Sequence, residues 1–223
     1  EPLWTAGQGD PAGYSSPVLV EIDGKQRLVA FTGSSALGIA PADGTVLWRF
    51  PWVTDYECNV ASPVGIDGQV LLSSGEQHGS VLLRFDSTAS GRLIPKPVWD
   101  SQGRDSTLRA EWQTPVLLDG YLYGFDNVGS AGPVTHLTCV EAATGKRMWQ
   151  KLRFGKGNLI AADGKLFATT MQGELVILEA TPEEYRELGR KKVIGTTRQA
   201  PALAGGRLYL RDGRQVVCFD VRN

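Results

Sequence analysis

Short stretches of alternating apolar and polar residues run along the whole chain, separated by turns that contain glycine. The alternation is clear in Gly164–Thr169 and Gly206–Leu210. A period of two predicts β-strands with one buried face. No stretch has the pattern of a long helix, and Pro182–Leu188 is predicted to be a loop with a degraded strand.

Three landmarks recur in the same order along the chain. The first is a Ser-Pro-Val segment at Ser16–Val18 and Ser62–Val64, with looser copies at Thr114–Val116 and Ala200–Ala202. The second is an Asp-Gly or Gly-Gly pair between two apolar runs, which predicts a β-hairpin because such pairs favour the type I′ turn. It is found at Asp23-Gly24, Asp67-Gly68, Asp119-Gly120, Asp163-Gly164 and Gly205-Gly206. The third is a turn leading to a tryptophan, at Trp48, Trp149 and more loosely Trp99, with Trp4 at the start.

Repeated units of about 42–52 residues with four strands each are typical of β-propeller blades. The sequence therefore predicts an all-β propeller of about five four-stranded antiparallel blades in a single domain. The predicted blades are 11–57, 58–109, 110–155, 156–197 and 198–223 together with 1–10. The segment Glu1–Trp4 is predicted to be the outer strand that completes the last blade. The alternative is a contiguous part of a larger, seven- or eight-blade propeller.

Composition and charge exclude several functional classes. The 223 residues carry 23 basic and 24 acidic side chains, a formal net charge of −1, which argues against binding nucleic acid through its phosphates. No apolar run has the roughly 20 residues of a transmembrane helix. No signal-peptide pattern is found either, so none is expected in this chain.

Cysteine and histidine are too few and too scattered for a metal centre. Cys58, Cys139 and Cys218 are far apart, and the two histidines are His78 and His136. Zinc sites use several such ligands at short spacing. We expect no metal site, and we interpret Cys139 and Cys218 as buried small side chains on equivalent strands.

The Ser-Pro-Val segment, the Asp-Gly hairpin and the Thr-Gly-x-x-x-Trp blade end together resemble the PQQ-like (quinoprotein-like) β-propeller repeat family. The resemblance covers essentially the whole chain and is greatest to bacterial PQQ-binding-like repeat proteins. It implies that Trp4, Trp48, Trp99 and Trp149 dock on neighbouring blades, and it implies a periplasmic or cell-surface location. Members usually have seven or eight blades, more than the five repeats here.

The same resemblance provides a test for enzyme activity. Quinoprotein dehydrogenases use PQQ, calcium, a carboxylate base and a vicinal cysteine pair, and this chain has no adjacent cysteines. We therefore expect no cofactor and no catalytic residue. The leading hypothesis is a non-enzymatic module that binds or scaffolds a protein, or a small polar ligand. The alternative is a degenerate or partial quinoprotein dehydrogenase or carbohydrate-active propeller, with PQQ and calcium as its cofactors in the first case.

The predicted binding residues lie just before the first strand of each blade, where propeller blades line the channel. They are polar or aromatic, which suits a polar ligand or an acidic peptide: Tyr14, Ser15, Asn59, Trp112, Gln113, Asn158, Arg198 and Gln199. A second candidate set lies in the polar, glycine-rich loops Ser73–Gly79 and Asp126–Gly132. Its members are Glu76, His78 and Asp126.

Overall fold

The computed structural model describes residues 1–128 and 134–222 of the chain. Four four-stranded antiparallel sheets and one three-stranded sheet follow one another along the sequence. The first sheet contains β1 (Val18–Ile22), β2 (Lys25–Phe31), β3 (Ser35–Ile39) and β4 (Val46–Pro51), and the second contains β5 (Val64–Ile66), β6 (Gln69–Ser74), β7 (Gly79–Ser87) and β8 (Leu93–Gln102). A short 3-10 helix covers Gly103–Asp105.

The remaining sheets repeat this order. The third contains β9 (Val116–Leu118), β10 (Tyr121–Asn127), β11 (Thr135–Glu141) and β12 (Arg147–Lys151), and the fourth contains β13 (Gly157–Ala162), β14 (Lys165–Thr170), β15 (Glu174–Glu179) and β16 (Glu187–Lys192). The fifth has β17 (Ala202–Ala204), β18 (Arg207–Arg211) and β19 (Val216–Asp220). Each sheet falls within one of the repeat units defined from the sequence. The predicted all-β propeller fold is confirmed.

The five hairpin pairs all form turns in which both central residues have positive φ. Asp163 and Gly164, for example, have φ of 50° and 67°. A type I′ turn requires this geometry, and its twist matches that of the flanking strands. The hairpins therefore join the first two strands of every blade as predicted.

Each pair of neighbouring blades shares an apolar core. One cluster joins the first and second sheets, a second joins the second and third, a third joins the third and fourth, and the last joins the fourth and fifth. Trp99 and Trp149 belong to these clusters, and their indole N–H groups donate to the carbonyls of Ala142 (2.9 Å) and Thr181 (2.8 Å) of the next blade. The predicted docking of blade-end tryptophans on neighbouring blades is confirmed at these positions.

The N-terminal segment differs from the prediction. Residues 1–17 contain no strand, and the fifth sheet has only β17, β18 and β19. Trp4 instead lies on the outer turn of the first blade, where its indole donates to the Pro41 carbonyl at 2.9 Å. The expectation that Glu1–Trp4 completes the last blade as a strand is therefore wrong: the side chain docks as a blade-end tryptophan does, but its backbone does not pair with β19.

Within the described residues, the structure contains no helix long and apolar enough to cross a bilayer.

Candidate functional site

The segments that lead into the first strand of each blade are linked to one another. We call them the rim: residues 11–17, 52–63, 106–115, 152–156 and 193–201. The backbone N–H of Tyr14 donates to the Asn59 carbonyl at 3.0 Å, which joins the first two segments. The Ser62 N–H donates to Thr114 Oγ1 at 2.9 Å, which joins the second and third. The blades therefore present these segments side by side on one face of the molecule.

Trp112 is the centre of the rim. Its side chain is 37% exposed, although tryptophan is usually mostly buried. Two cations lie close to its ring: Lys156 Nζ is 4.3 Å from the centroid and the Arg198 guanidinium carbon is 4.4 Å away. Both distances fall within cation–π range, so the indole is held in place while part of it stays open to solvent.

A group of acidic side chains, Glu76, Glu111 and Asp55, lies near Trp112. We call it the acidic group. Glu111 pairs with Lys156 at 2.6 Å, and both side chains are mostly buried. Burial raises the pKa of Glu76 above its usual value, and the nearby carboxylates of Glu111 and Asp55 raise it further. Lys156 is thus the local counterion of an acidic group, whereas Arg198 forms no ion pair with the described residues. The centre of the rim therefore offers a guanidinium that has no ion pair within the described residues, beside a partly exposed indole.

Cys58 lies beside the same acidic group, which disfavours its thiolate form. Burial raises the pKa of its thiol, and Glu76 and Glu111 raise it further. A reactive cysteine needs a lowered pKa, because the thiolate is the nucleophile.

A small cavity lies next to Trp112. It measures about 10 Å³, close to the room that one water molecule needs, and Asn127 and Thr135 help to line it. Both polar atoms of the Asn127 amide, and the Thr135 hydroxyl, lack hydrogen-bond partners among the described residues. A buried water would satisfy these groups, but the cavity is too small for a ligand.

Three of the predicted rim residues hold the rim together. Asn59 is fully buried, and its Nδ2 donates to the Thr32 carbonyl at 2.8 Å while its Oδ1 accepts from Ser74 Oγ at 2.7 Å. Gln113 is buried, and its Oε1 accepts the Phe125 N–H at 3.3 Å. Asn158, near the start of β13, donates from Nδ2 to the Arg198 carbonyl at 3.0 Å, which joins the fourth blade to the fifth segment of the rim. These amides already have partners within the protein.

The other predicted rim residues face solvent to different degrees. Tyr14 is 71% exposed, and Arg198 and Gln199 are also exposed. Ser15 is half-buried, and its hydroxyl donates to the Ser16 carbonyl at 3.2 Å. The structure thus brings Trp112 and Arg198 together, while Tyr14 lies at the other end of the rim, next to the second segment.

The loop candidates have different environments. Glu76 contributes to the acidic group, whereas the His78 ring packs edge-on against Trp52 with centroids 4.4 Å apart. Burial lowers the pKa of His78, which favours the neutral imidazole. Asp126 is completely buried near the end of β10 and is not a loop residue. The segment 129–132 of its predicted loop lies outside the described residues.

Asp126 accepts two hydrogen bonds from Arg109, which links the second and third blades. The pair is bidentate, with Arg109 Nε 2.7 Å from Oδ1 and Nη2 2.8 Å from Oδ2. Gln150 donates to the same carboxylate at 3.0 Å. The sequence did not single out Arg109, Glu111 or Lys156, since each lies outside the repeated landmarks. For Glu111, its position next to Trp112 was the only available signal.

The cysteines of this chain are not arranged as in a quinoprotein dehydrogenase. The three cysteines are free: Cys58 is half-buried and Cys139 is buried as predicted, whereas Cys218 is exposed, so its interpretation as a buried side chain is wrong. No group of three or more His, Cys, Asp or Glu side chains in the described ranges could hold a metal ion. The vicinal cysteine pair of a quinoprotein dehydrogenase therefore has no counterpart there.

Comparisons with known proteins agree with this architecture. A family model described as outer membrane protein assembly factor BamB matches residues 1–151 and 134–223, which together span the chain. No curated protein sequence matches. BamB from Moraxella catarrhalis is similar in structure, with a TM-score of 0.52 and 15% identity over 97% of this chain and 74% of that one.

Two further solved structures share the fold. Quinohemoprotein alcohol dehydrogenase ADHIIG from Pseudomonas putida HK5 gives a TM-score of 0.59 at 12% identity, over 94% of this chain and 38% of that chain. Apo AztD from Citrobacter koseri gives 0.54 at 13% identity, over 93% of this chain and 56% of that one. At these identities the likeness shows the fold alone.

Proposed function

The chain belongs to the PQQ-like repeat family whose model is described as outer membrane protein assembly factor BamB, and from this membership and the rim we propose that it is a protein-binding scaffold. The observation that carries the proposal is the partly exposed ring of Trp112 with the Arg198 guanidinium beside it, which forms no ion pair with the described residues. Exposed tryptophan and arginine side chains are the residues that most often dominate protein interfaces.

Other exposed apolar side chains lie on the same face. The rim segments carry Tyr14, Val53, Tyr56 and Leu152, each more than 60% exposed. Apolar side chains gathered on one face of a rigid scaffold are typical of a protein-binding surface. We propose that the partner segment is extended, places an apolar side chain on Trp112 and pairs a carboxylate with Arg198.

We propose that the protein acts without PQQ or calcium and works in the periplasm or at the cell surface. The free, dispersed cysteines support the first part. The family description, an outer-membrane assembly factor, supports the second. A ligand that binds the folded state raises its melting temperature, so PQQ with calcium should leave that temperature unchanged. A concentration-dependent rise would instead favour the quinoprotein alternative.

Site-specific photo-crosslinking tests the binding proposal directly. A photoreactive phenylalanine analogue replaces Trp112, and in the control it replaces Lys146, an exposed residue in the outer turn of the third blade on the opposite face. Irradiation of cells is expected to give a discrete higher-mass adduct at position 112 and none of that mass at 146. No adduct at 112, or the same adducts at both positions, would refute the rim as the partner site.

A further inference from the structure

The fourth blade lacks the tryptophan that the first three blades place against their neighbour. Trp48 pairs with Gly38, Trp99 with Leu82 and Trp149 with Cys139, and in every case the strand register shifts at the next position. In the fourth blade Gly189 takes this place: it pairs with Ile177, and the register shifts between Ile177 and Leu178. The position equivalent to the tryptophans therefore has no side chain.

A cavity of about 580 Å³ lies between the fourth and fifth blades at this place. This volume is within the range of small-molecule and side-chain pockets. Its lining is mainly apolar and comes from both blades: Phe167, Ile177, Leu188, Leu203, Val221 and Arg222. We call this cavity the vacant slot.

One wall of the vacant slot matches a wall that holds Trp149. Phe167 pairs with Ile177 just as Tyr123 pairs with Cys139, and the Tyr123 ring lies 6.0 Å from that of Trp149. Phe167 thus occupies the place of an aromatic wall.

The hydrogen-bond acceptor of the slot is also present. The Val221 N–H donates to the Gly206 carbonyl, as the Ala142 N–H donates to the Gly120 carbonyl, so these residues are equivalent. The Ala142 carbonyl accepts the indole N–H of Trp99 at 2.9 Å. The Val221 carbonyl is therefore placed to accept an indole N–H, and Arg222 lines the same cavity.

We propose that the vacant slot binds a tryptophan side chain of a partner polypeptide, which replaces the indole that the fourth blade does not supply. Three other indoles in this molecule, those of Trp4, Trp99 and Trp149, lie on blades in the same way and donate to a backbone carbonyl of the outer turn. The slot lies between the outer parts of two blades, so it is a second site, separate from the rim.

Fluorine NMR with N-acetyl-5-fluorotryptophanamide tests this proposal, with N-acetylalaninamide as the competitor that should have no effect. Saturable broadening of the fluorine signal is expected, with a dissociation constant of roughly 0.1 to a few mM, as for a fragment of this size. Absence of saturable binding to the wild-type chain would overturn the proposal.

A variant that fills the slot with a tryptophan of the chain itself gives the decisive test. A Cβ at Gly189 would meet no atom within 4 Å, so Gly189→Trp can fill the slot. We expect this variant to abolish binding of the probe and to raise the melting temperature by about 2–4 °C. Gly213→Trp, at a loop glycine that is equally open, is the matched control and should bind normally.

A second variant keeps the test independent of folding. Leu188 lines the slot and is 52% exposed, so Leu188→Glu adds a charge to the apolar wall at little cost to the fold. Probe affinity should fall at least about tenfold. Unchanged affinity in Gly189→Trp or in Leu188→Glu would place the probe elsewhere and contradict the assignment.

Discussion

At the scale of single residues, tryptophan has two distinct roles in this protein. Trp48 is 2% exposed and packs against Phe85 of the next blade, with ring centroids 4.9 Å apart. Trp112 is 37% exposed and contacts two cations at the rim. The first is a core residue and the second a surface residue, so their removal should have different consequences.

Trp48→Ala should lower the free energy of unfolding by about 3–5 kcal/mol, because it removes a fully buried ring and leaves a cavity. Trp112→Ala is the matched control and should lower it by less than about 1 kcal/mol. Urea denaturation of both variants provides the measurement. A loss of well under 1 kcal/mol for Trp48→Ala would contradict its docking role.

Asp126→Asn should be strongly destabilising, since it leaves the buried Arg109 guanidinium without its counterion. Breaking such a buried pair costs about 3–5 kcal/mol. Asp86→Asn is the control: its pairs with Arg84 and Lys96 are exposed and screened by solvent, so their loss should have little effect on stability. Equal losses in the two variants, measured by chemical denaturation, would argue against the Arg109–Asp126 pair as a clamp between blades.

The sequence predicts residues that repeat and misses residues that pair across blades. Trp99 and Trp149 were predicted correctly because each stands in a repeated turn. Asp126 was misassigned to a loop, since a polar residue before glycines has the composition of one. Its burial depends on Arg109, 17 positions earlier, and no local pattern connects the two.

At the scale of elements, the hairpins follow from the local sequence, whereas the pairing of the N-terminal segment with the last blade does not. The four Asp-Gly pairs and Gly205-Gly206 favour positive φ by themselves, so all five hairpins were predictable. Whether Glu1–Trp4 pairs with β19 depends on contacts between distant parts of the chain. The structure docks Trp4 on the first blade without such pairing, which the sequence pattern could not distinguish from a strand.

The loop between β18 and β19 depends on one carboxylate. Asp212 accepts the backbone N–H groups of Gly195 (2.6 Å), Arg214 (2.7 Å) and Gln215 (2.9 Å). These bonds, that of Gly195 first, lower the pKa of Asp212 to about 2. The carboxylate therefore ties the last blade to the segment that precedes it.

This pKa predicts how stability depends on pH. A carboxyl whose pKa is lowered by folding contributes its full stabilisation above its unfolded pKa of about 3.9, and loses it as the pH falls towards 2. Urea denaturation at pH 7, 4, 3 and 2 should show a smaller loss on acidification for Asp212→Asn than for the wild type. Parallel losses would mean that Asp212 does not tie the blade.

At the scale of the whole molecule, the described residues form consecutive blades whose last sheet ends in β19. No strand pairs with the outer edge of β19 in the described ranges, and Val216 on it is 65% exposed. Unpaired edges promote association between chains. We expect this 223-residue chain to self-associate as its concentration rises, which light scattering can measure. A constant molar mass of 24.1 kDa at all concentrations would contradict this expectation.

The rim and the vacant slot lie at different places on this scaffold, so they can be tested separately. The rim brings together segments from all five blades, and its apolar side chains lie on one face. The slot belongs to the fourth and fifth blades alone. Gly189→Trp should therefore leave crosslinking at position 112 unchanged.

The most direct test of partner binding at the rim is the affinity of the protein captured by crosslinking at position 112. Its dissociation constant should rise at least about tenfold for the double variant Trp112→Ala/Arg198→Ala, since truncation of interface hot spots has effects of this size. The melting temperature of the variant should stay close to that of the wild type. Unchanged affinity in a folded double variant would contradict the account.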